Sequence, residues 1–344
     1  MMSEQNAGLK AIQDPSWLRR ETMGRFQLLT IDCDYLRPEF AAAYLLHDGQ
    51  QAVFIEVNTT HAVPRLLDAL HREGLTPSQV SWILVTHIHL DHAGGTAALA
   101  AACPRARIGA HPRAVPHLVD PTKLVASARA VYGEERFRVL YGEIAPIAPG
   151  RVKAFEDEAS LKLASDWHFR FLHTRGHANH HFCILHEETR SVFTGDSFGV
   201  AYPALVARGA HTVPFVFPST SPTDFDAEEA LRTVDRIEKL GARAAYPTHF
   251  GALMEIGSAA SQLRMSLQFS TQLLKEVSGA GFPHEQIEAH CQHEWESHLK
   301  VRLRTHGLNP EVVWEWVALD AELNAAGIAF RALKSKLPPG PMKP

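Results

Sequence analysis

The chain has 344 residues, 45% of them hydrophobic, with 34 lysines and arginines against 38 aspartates and glutamates and a formal net charge of −4. That length supports a substantial core in one large domain or two ordinary ones, and the near-balanced charge leaves no electrostatic footprint for a nucleic-acid backbone. No apolar run approaches the roughly 18 to 20 residues that span a bilayer, no secretory pattern opens the chain, and Cys33, Cys103, Cys183 and Cys291 lie too far apart for a disulfide framework or a zinc ribbon, so a reducing cytoplasm is the expected setting.

Residues 1–23 are polar and unpatterned and read as a flexible N-terminal arm. From Arg25 the text changes to short β-like runs, with a first strand expected over 26–31. Runs 43–47 and 52–57 flank Asp48-Gly49-Gln50-Gln51 and read as a hairpin. A helix is expected over 62–73, where Val63, Leu66, Leu67 and Leu70 recur at helical spacing before Gly74. Trp82-Ile83-Leu84-Val85-Thr86 is a continuous apolar run, as in a strand buried on both faces. Further strands are expected at 106–110, 169–174, 182–186 and 191–194, with helices near 121–132 and 226–240. From about Ile256 only helical patterns remain, near 258–278, 284–305 and 310–334, before the Pro-rich end at 338–341. The reading is a mixed α/β domain over 24–255 with a helical C-terminal extension over 256–344.

Directly after the apolar run comes Thr86-His87-Ile88-His89-Leu90-Asp91-His92-Ala93-Gly94-Gly95. Three histidines and an aspartate within six residues are hard to justify as packing, because crowded imidazoles depress one another's pKa unless a cation uses their lone pairs. In an extended segment residues two apart face the same way, so His87 and His89 can grip one ion together. Asp91 and His92 begin the turn into the next helix and aim elsewhere. Three more potential ligands sit at strand ends beside a glycine or shortly before one: His177 in Arg175-Gly176-His177, Asp196 in Thr194-Gly195-Asp196, and His249 in Thr248-His249-Phe250-Gly251.

This pattern resembles the metallo-β-lactamase-fold superfamily of metallohydrolases over roughly residues 25–255. The resemblance implies a four-layer αβ/βα sandwich with metals at one edge, between the two sheets. Carried over residue by residue, it puts His87, His89 and His177 on a first metal, Asp91, His92 and His249 on a second, and Asp196 between the two. A bridging Asp196 is similar to the glyoxalase II, lactonase and phosphodiesterase branches rather than the true β-lactamases. His89 stands where redox-active di-iron relatives carry a glutamate, which favours hydrolysis. The all-N/O ligand set implies two divalent ions, zinc first, with iron or manganese also accepted. The text departs from the family at Glu56-Val57-Asn58, where Asp-Thr-Gly or Asp-Cys-Gly is usual, so support from that strand is not carried over. After His177 it reads Ala178-Asn179-His180-His181; either of these two histidines would support a ligand or touch substrate, the alternative being packing or solvent exposure.

The implied activity is that of a binuclear hydrolase, a metal-bridging hydroxide attacking an electrophilic carbonyl or phosphorus, since bound zinc lowers the pKa of water from 15.7 to about 7. Asp91 would orient the nucleophile and carry a proton to the leaving group. The segment 197–222, with Val200, Tyr202, Leu205, Val213, Phe215, Val216 and Phe217 and one formal charge at Arg208, is expected in part to overhang the metals. An apolar mouth favours a small ester, thioester or lactone over polyanionic RNA; otherwise these side chains pack under the C-terminal helices. Phosphodiester hydrolysis, an iron-dependent oxygenase and a metal-bearing protein without turnover are the competing readings. In the extension, His290, Glu294 and His298 form one helical stripe, read as a solvated face rather than a third metal site. Val312, Val313, Trp316, Leu319 and Leu323 form an apolar stripe that should dock on the core or on a second copy in a homo-oligomer.

Overall fold

The computed structural model describes residues 14–163, 166–209, 213–221 and 223–336; residues 1–13 of the expected arm and the Pro-rich end lie outside them. A seven-stranded sheet runs in order from β1 to β7: β1 (Leu18–Met23), β2 (Phe26–Asp32), β3 (Ala42–His47), β4 (Ala52–Ile55), β5 (Val80–Leu84), β6 (Arg107–Ala110) and β7 (Val152–Ala154). Pairing is antiparallel from β1 to β4 and parallel from β4 to β7. A five-stranded sheet holds β8 (Ser160–Leu163), β9 (Trp167–His173), β10 (Phe182–His186), β11 (Ser191–Gly195) and β12 (Ala244–Pro247), with only β11 and β12 parallel.

Side-chain alternation sorts the layers. Along β2, Phe26 and Leu28 face the second sheet, whereas Leu29 and Ile31 face the helices outside the first. The inter-sheet core is aromatic: Tyr44, Trp167, Phe169, Phe171, Phe193 and Tyr246 are all buried within it. Outside the first sheet lie α1 (Val63–Arg72), α2 (Leu90–Ala93), α3 (Thr96–Ala102), α4 (Val115–Val119), α5 (Thr122–Tyr132) and α6 (Glu134–Tyr141). Outside the second lie α7 (Pro203–Arg208), α8 (Ala227–Lys239), α9 (Ile256–Ser278), α10 (Ile287–Thr305) and α11 (Pro310–Lys336). The result is the four-layer αβ/βα sandwich. Asp226 caps α8 by accepting from the N–H groups of Glu228 and Glu229, both at 3.1 Å.

Two expectations need correction. Residues 18–23 of the expected arm are the strand β1, paired antiparallel from Leu18↔Ile31 to Met23↔Phe26. It is an edge strand whose order comes from backbone pairing, with only Leu18 and Met23 buried, so its text carries no apolar alternation. The apolar stripe of α11 is also displaced. Val312 and Leu319 are exposed, and the buried face runs through Val313, Val317, Asp320, Ala321, Asn324 and Ile328. The C-terminal helices share one core with the outer face of the second sheet, Trp295, Leu299 and Ile328 joining Phe198, Val200 and Val234.

Candidate metal centre

β5 delivers the chain to Thr86, and the next residues line one edge of the sandwich. His89 has extended backbone immediately before α2, so His87 and His89 point to one side while Asp91 and His92 turn with the helix. The Nε2 of His87 and the Nε2 of His177 lie 2.9 and 3.0 Å from the Nδ1 of His89. Three ring nitrogens therefore converge on one point. Burial, and then the neighbouring rings, hold His87 and His89 well below the ordinary imidazole range, and burial lowers His177 as well. These are neutral rings offering lone pairs, which is what a cation requires.

The second group is built oppositely. The Nε2 of His92 lies 3.6 Å from Asp91 Oδ2 and 3.3 Å from Asp196 Oδ1, and the Nε2 of His249 lies 3.5 and 3.6 Å from the same two atoms. Burial pushes His249 down, but Asp196 and Asp91 outweigh it and raise it to about 9; His92 is raised likewise. Burial would raise Asp91 and Asp196, yet the facing histidines hold both carboxyls below their ordinary value. Asp196 stands between the groups: Oδ2 is 3.4 Å from His177 Nε2, while Oδ1 faces His92 and His249. His92 Nε2 and Asp196 Oδ1 are buried without a hydrogen-bond partner. Buried polar atoms left unpaired in this way fit ligand atoms of a cation. All seven side chains singled out in the sequence thus meet, and their donor chemistry fits two divalent ions.

The opposite nitrogen of several rings is tied to the protein, which fixes the tautomer and aims the lone pair. His177 Nδ1–H donates to the carbonyl of Ser219 at 3.1 Å, and His249 Nδ1–H to the carbonyl of Phe40 at 2.8 Å. His92 Nδ1–H donates to Glu56 Oε2. Glu56 also accepts from Thr86 N–H at 2.7 Å and from the Thr248 hydroxyl at 3.2 Å. Although three buried ligand atoms of Glu56, His87 and His92 cluster, Glu56 lies on the far side of the His92 ring from Asp196. The departure at Glu56-Val57-Asn58 therefore does not remove support from that strand: Glu56 supplies the acid with φ of 64°, and Asn58 Nδ2 donates to the carbonyl of Asp91 at 2.8 Å.

The two undecided histidines separate. His181 is fully buried; its Nε2 accepts from Asp196 N–H at 3.3 Å, and its Nδ1 lies 2.9 Å from the hydroxyls of Thr174 and Ser197. It holds the backbone of Asp196. His180 is half-buried, its ring 5.4 Å from His89, with Nδ1 buried and unpartnered. Gly195 makes the crowding feasible: at φ of 50° a Cβ there would lie 2.4 Å from Thr86 Oγ1 and 2.5 Å from His181 Nε2.

Among its described residues, the segment 197–222 does not form an apolar mouth over the centre. Val200, Tyr202, Leu205, Phe215, Val216 and Phe217 are at most 2% exposed and pack under the C-terminal helices. What it brings to the centre is Ser219, unremarked in the sequence, whose Oγ–H donates to Asp196 Oδ2 at 2.9 Å. The helical stripe of histidines is bound up in packing: His298 stacks on Phe269 with ring centroids 4.1 Å apart, and His290 pairs with Glu276 at 2.9 Å.

The family profile described as the metallo-beta-lactamase superfamily matches residues 36–249. Among curated relatives, an atrochrysone carboxyl ACP thioesterase of Aspergillus fumigatus is 25% identical over 217 residues, 62% of this chain and 51% of the relative. The lactamase-like protein notP of an Aspergillus species is 29% identical over 226 residues, 64% of this chain and 53% of its own. The chain thus spans about half the length of these relatives. Among solved structures, a metallo-beta-lactamase family protein of Thermus thermophilus has a TM-score of 0.58 at 21% identity, covering 90% of this chain and 92% of its own. An archaeal superfamily protein of Sulfolobus tokodaii has a TM-score of 0.56 at 23% identity, covering 70% and 86%. With the profile spanning well over half of its length and the ligand cluster assembled at the edge of the sandwich, the chain belongs to the metallo-beta-lactamase superfamily.

Proposed function

We propose that this protein hydrolyses a thioester, or a related small ester or lactone, with two divalent cations, zinc in the first instance, held by His87, His89 and His177 on one side, Asp91, His92 and His249 on the other, and Asp196 between them. The observation that carries the reading is the placement of Asp196, one oxygen toward each histidine group. The thioester preference is supported by the relative named as an acyl-carrier-protein thioesterase. Four free, buried cysteines suit a reducing, cytoplasmic setting; no helix among the described residues is long and apolar enough to cross a membrane.

When bound, such cations acidify a water and polarise the substrate's carbonyl oxygen. The chain's own part is orientation and proton handling. Asp91 has a side chain 25% exposed, against 5% for Asp196 and 7% for His249, so it is the carboxylate open to an entering substrate. Held anionic by His92 and His249, it can take a proton from the attacking water and pass it to the leaving thiolate or alkoxide. His180, whose ring lies 5.4 Å from that of His89, is the further histidine that would touch the substrate. The test is purified full-length protein, assayed for metal content and for hydrolysis of an acyl-pantetheine thioester, a lactone panel and bis-(p-nitrophenyl) phosphate. We expect about two metals per chain, thioester or ester turnover lost to a chelator and restored by zinc, and Asp91→Asn slower by roughly 10²–10⁴-fold. Metal-loaded protein that ignores every carboxylic ester and thioester, or that prefers the phosphodiester, overturns the assignment.

A further inference from the structure

We propose that α11, which lies wholly beyond the residues 36–249 matched by the family profile, is part of the metal centre's supporting frame and positions ligands of both ion sites through two separate clamps. This inference rests on the reading that the seven side chains hold metal.

The first clamp grips the segment 218–221. Asn324 is 1% exposed; its Nδ2 donates to the carbonyls of Pro218 at 2.9 Å and Asp320 at 2.7 Å. Thr220 Oγ1–H donates to the carbonyl of Leu323 at 3.0 Å. Gly327 lets the helix come so close that an added Cβ would lie 3.1 Å from the Ser221 carbonyl oxygen and 3.2 Å from Thr220 Oγ1. The segment held this way bonds to two ligands. Ser219 Oγ–H donates to Asp196, the Ser219 carbonyl accepts from His177, and Ser221 Oγ–H donates to the His177 carbonyl at 2.7 Å.

The second clamp grips the loop before β3. Within it Asp34, Leu36 and Glu39 have φ of 54°, 60° and 56°, a conformation that non-glycine residues keep only when their surroundings impose it. Arg37 is the anchor. Its guanidinium lies 4.6 to 4.8 Å from the ring centroids of Phe40, Tyr202 and Trp316, and donates to the Trp316 carbonyl at 2.8 Å. Tyr202 stacks on Phe40 with centroids 5.4 Å apart, and its hydroxyl donates to Asp320 Oδ2 at 3.1 Å. The residue so fixed, Phe40, supplies the carbonyl that orients His249. One face of one helix thus sets His177 and Asp196 through Asn324, and His249 through Arg37 and Asp320. The routes meet at the Asp320 backbone, whose carbonyl accepts from Asn324, but the groups that bond to ligands differ: Ser219 and Ser221 in one, the Phe40 carbonyl in the other, and only the second runs through Arg37.

The test uses the full-length apoprotein, titrated with Co²⁺ and with Zn²⁺ against a competing chelator, reading the affinity of each equivalent and the cobalt d–d spectrum; apo melting temperature is followed in parallel. Asn324→Ala is expected to weaken both equivalents by about 10- to 100-fold, the range seen when a ligand's supporting partner is removed. Arg37→Met is expected to weaken one equivalent by about that factor and leave the other within about twofold, with Arg37→Lys recovering part of the loss. Leu319→Ala, on the exposed face of the same helix, should change neither. If Asn324→Ala fails to fold, Gly327→Ala applies the same test by displacing the 220–221 backbone slightly. Wild-type binding of two metals that persists unchanged in Asn324→Ala and Arg37→Met overturns the inference and leaves the metal reading intact. So does a loss that merely follows apo melting temperature across all variants, Leu319→Ala included. Wild-type protein that binds no metal overturns both.

Discussion

Glu56→Gln tests the support of the proposed second ion site with minimal change in shape. Glu56 is 1% exposed and accepts from three donors: Thr86 N–H, His92 Nδ1–H and the Thr248 hydroxyl. A carboxylate serves all three, whereas an amide has one accepting oxygen. If that oxygen stays on the backbone N–H of Thr86, the NH₂ group faces His92 Nδ1, and His92 relieves the clash by moving its proton to Nε2. That nitrogen faces Asp91 and Asp196 at 3.6 and 3.3 Å, and once protonated it has no lone pair to give. Loss of an orienting partner of this type lowers metal affinity by about 10- to 100-fold, or roughly 1.4 to 2.7 kcal/mol. The expected result is a selective loss of one metal equivalent by chelator competition, with the equivalent at His87, His89 and His177 retained. ¹⁵N-histidine spectra of the zinc-loaded protein would record which His92 nitrogen carries the proton. Glu56→Gln protein that binds both equivalents with wild-type affinity and keeps the His92 tautomer would refute the reasoning, and Glu56 would then be a packing residue.

Three further outcomes follow from particular contacts. Asp320 is raised from 3.8 to about 6, by burial first, with Arg37, His249 and the Tyr202 hydroxyl pulling the other way and Asp196 adding to the rise. The folded state therefore holds this proton more tightly than the unfolded chain, and the carboxyl's cost to stability is absent near pH 4, grows between pH 4 and 6 and is complete above it. Asp320→Asn keeps an acceptor for Tyr202 and should raise stability at pH 7 by roughly 2–3 kcal/mol while changing little at pH 4, measured by urea unfolding at both values; an equal effect at the two pH values would contradict the assignment. Gly195→Ala forces a Cβ against Thr86 and His181 at positive φ and should cost about 1–3 kcal/mol in thermal unfolding while displacing Asp196, so an unchanged transition would count against the close packing. Trp295→Ala removes a fully buried ring from the core that joins the C-terminal helices to the second sheet and should cost about 3–5 kcal/mol; a loss under about 1 kcal/mol would mean that the helices unfold apart from the sandwich.

What the text made legible is what local chemistry encodes. Strong periodicity placed the helix expected at 62–73 over Val63–Arg72, and the final helical patterns became α9, α10 and α11. The apolar run at 82–86 gave a strand shifted two residues earlier, Val80–Leu84; Val85 N–H still bonds to the Gly109 carbonyl of β6 at 3.0 Å, and the ladder ends at Thr86, whose N–H turns to Glu56 just before His87. The seven proposed ligands were legible because each is a histidine or aspartate in the turns, loops and short helix that follow a strand, where burial without a partner is costly. What stayed hidden depends on partners distant in the chain. β1 exists because β2 offers it a ladder, and Leu18 and Met23 alone are too little apolar text to announce it.

The supporting residues were hidden for a more general reason. A ligand must be a histidine or a carboxylate, but the group that aims it needs only a hydrogen-bonding atom in the right place. Phe40 and Ser219 aim His249 and His177 through backbone carbonyls, which every residue type possesses, so no motif could have marked them. Glu56 is one methylene longer than the usual aspartate, so it departs from the family's text; the left-handed backbone at Glu56 and Asn58, with φ of 64° at both, presents the two side chains where they bond to His92 and Asp91. The same argument separates His181 from His180. Adjacent in sequence and identical in type, they differ only in what surrounds them, a buried hydroxyl pair and the N–H of Asp196 for one, the ring of His89 at 5.4 Å for the other. Ligand identity was thus written locally, and ligand orientation was distributed over β4, the loop before β3, the Ser219 segment and α11. A substitution that preserves all seven ligands can therefore still disable the centre, and the outer contacts are where such losses should be sought.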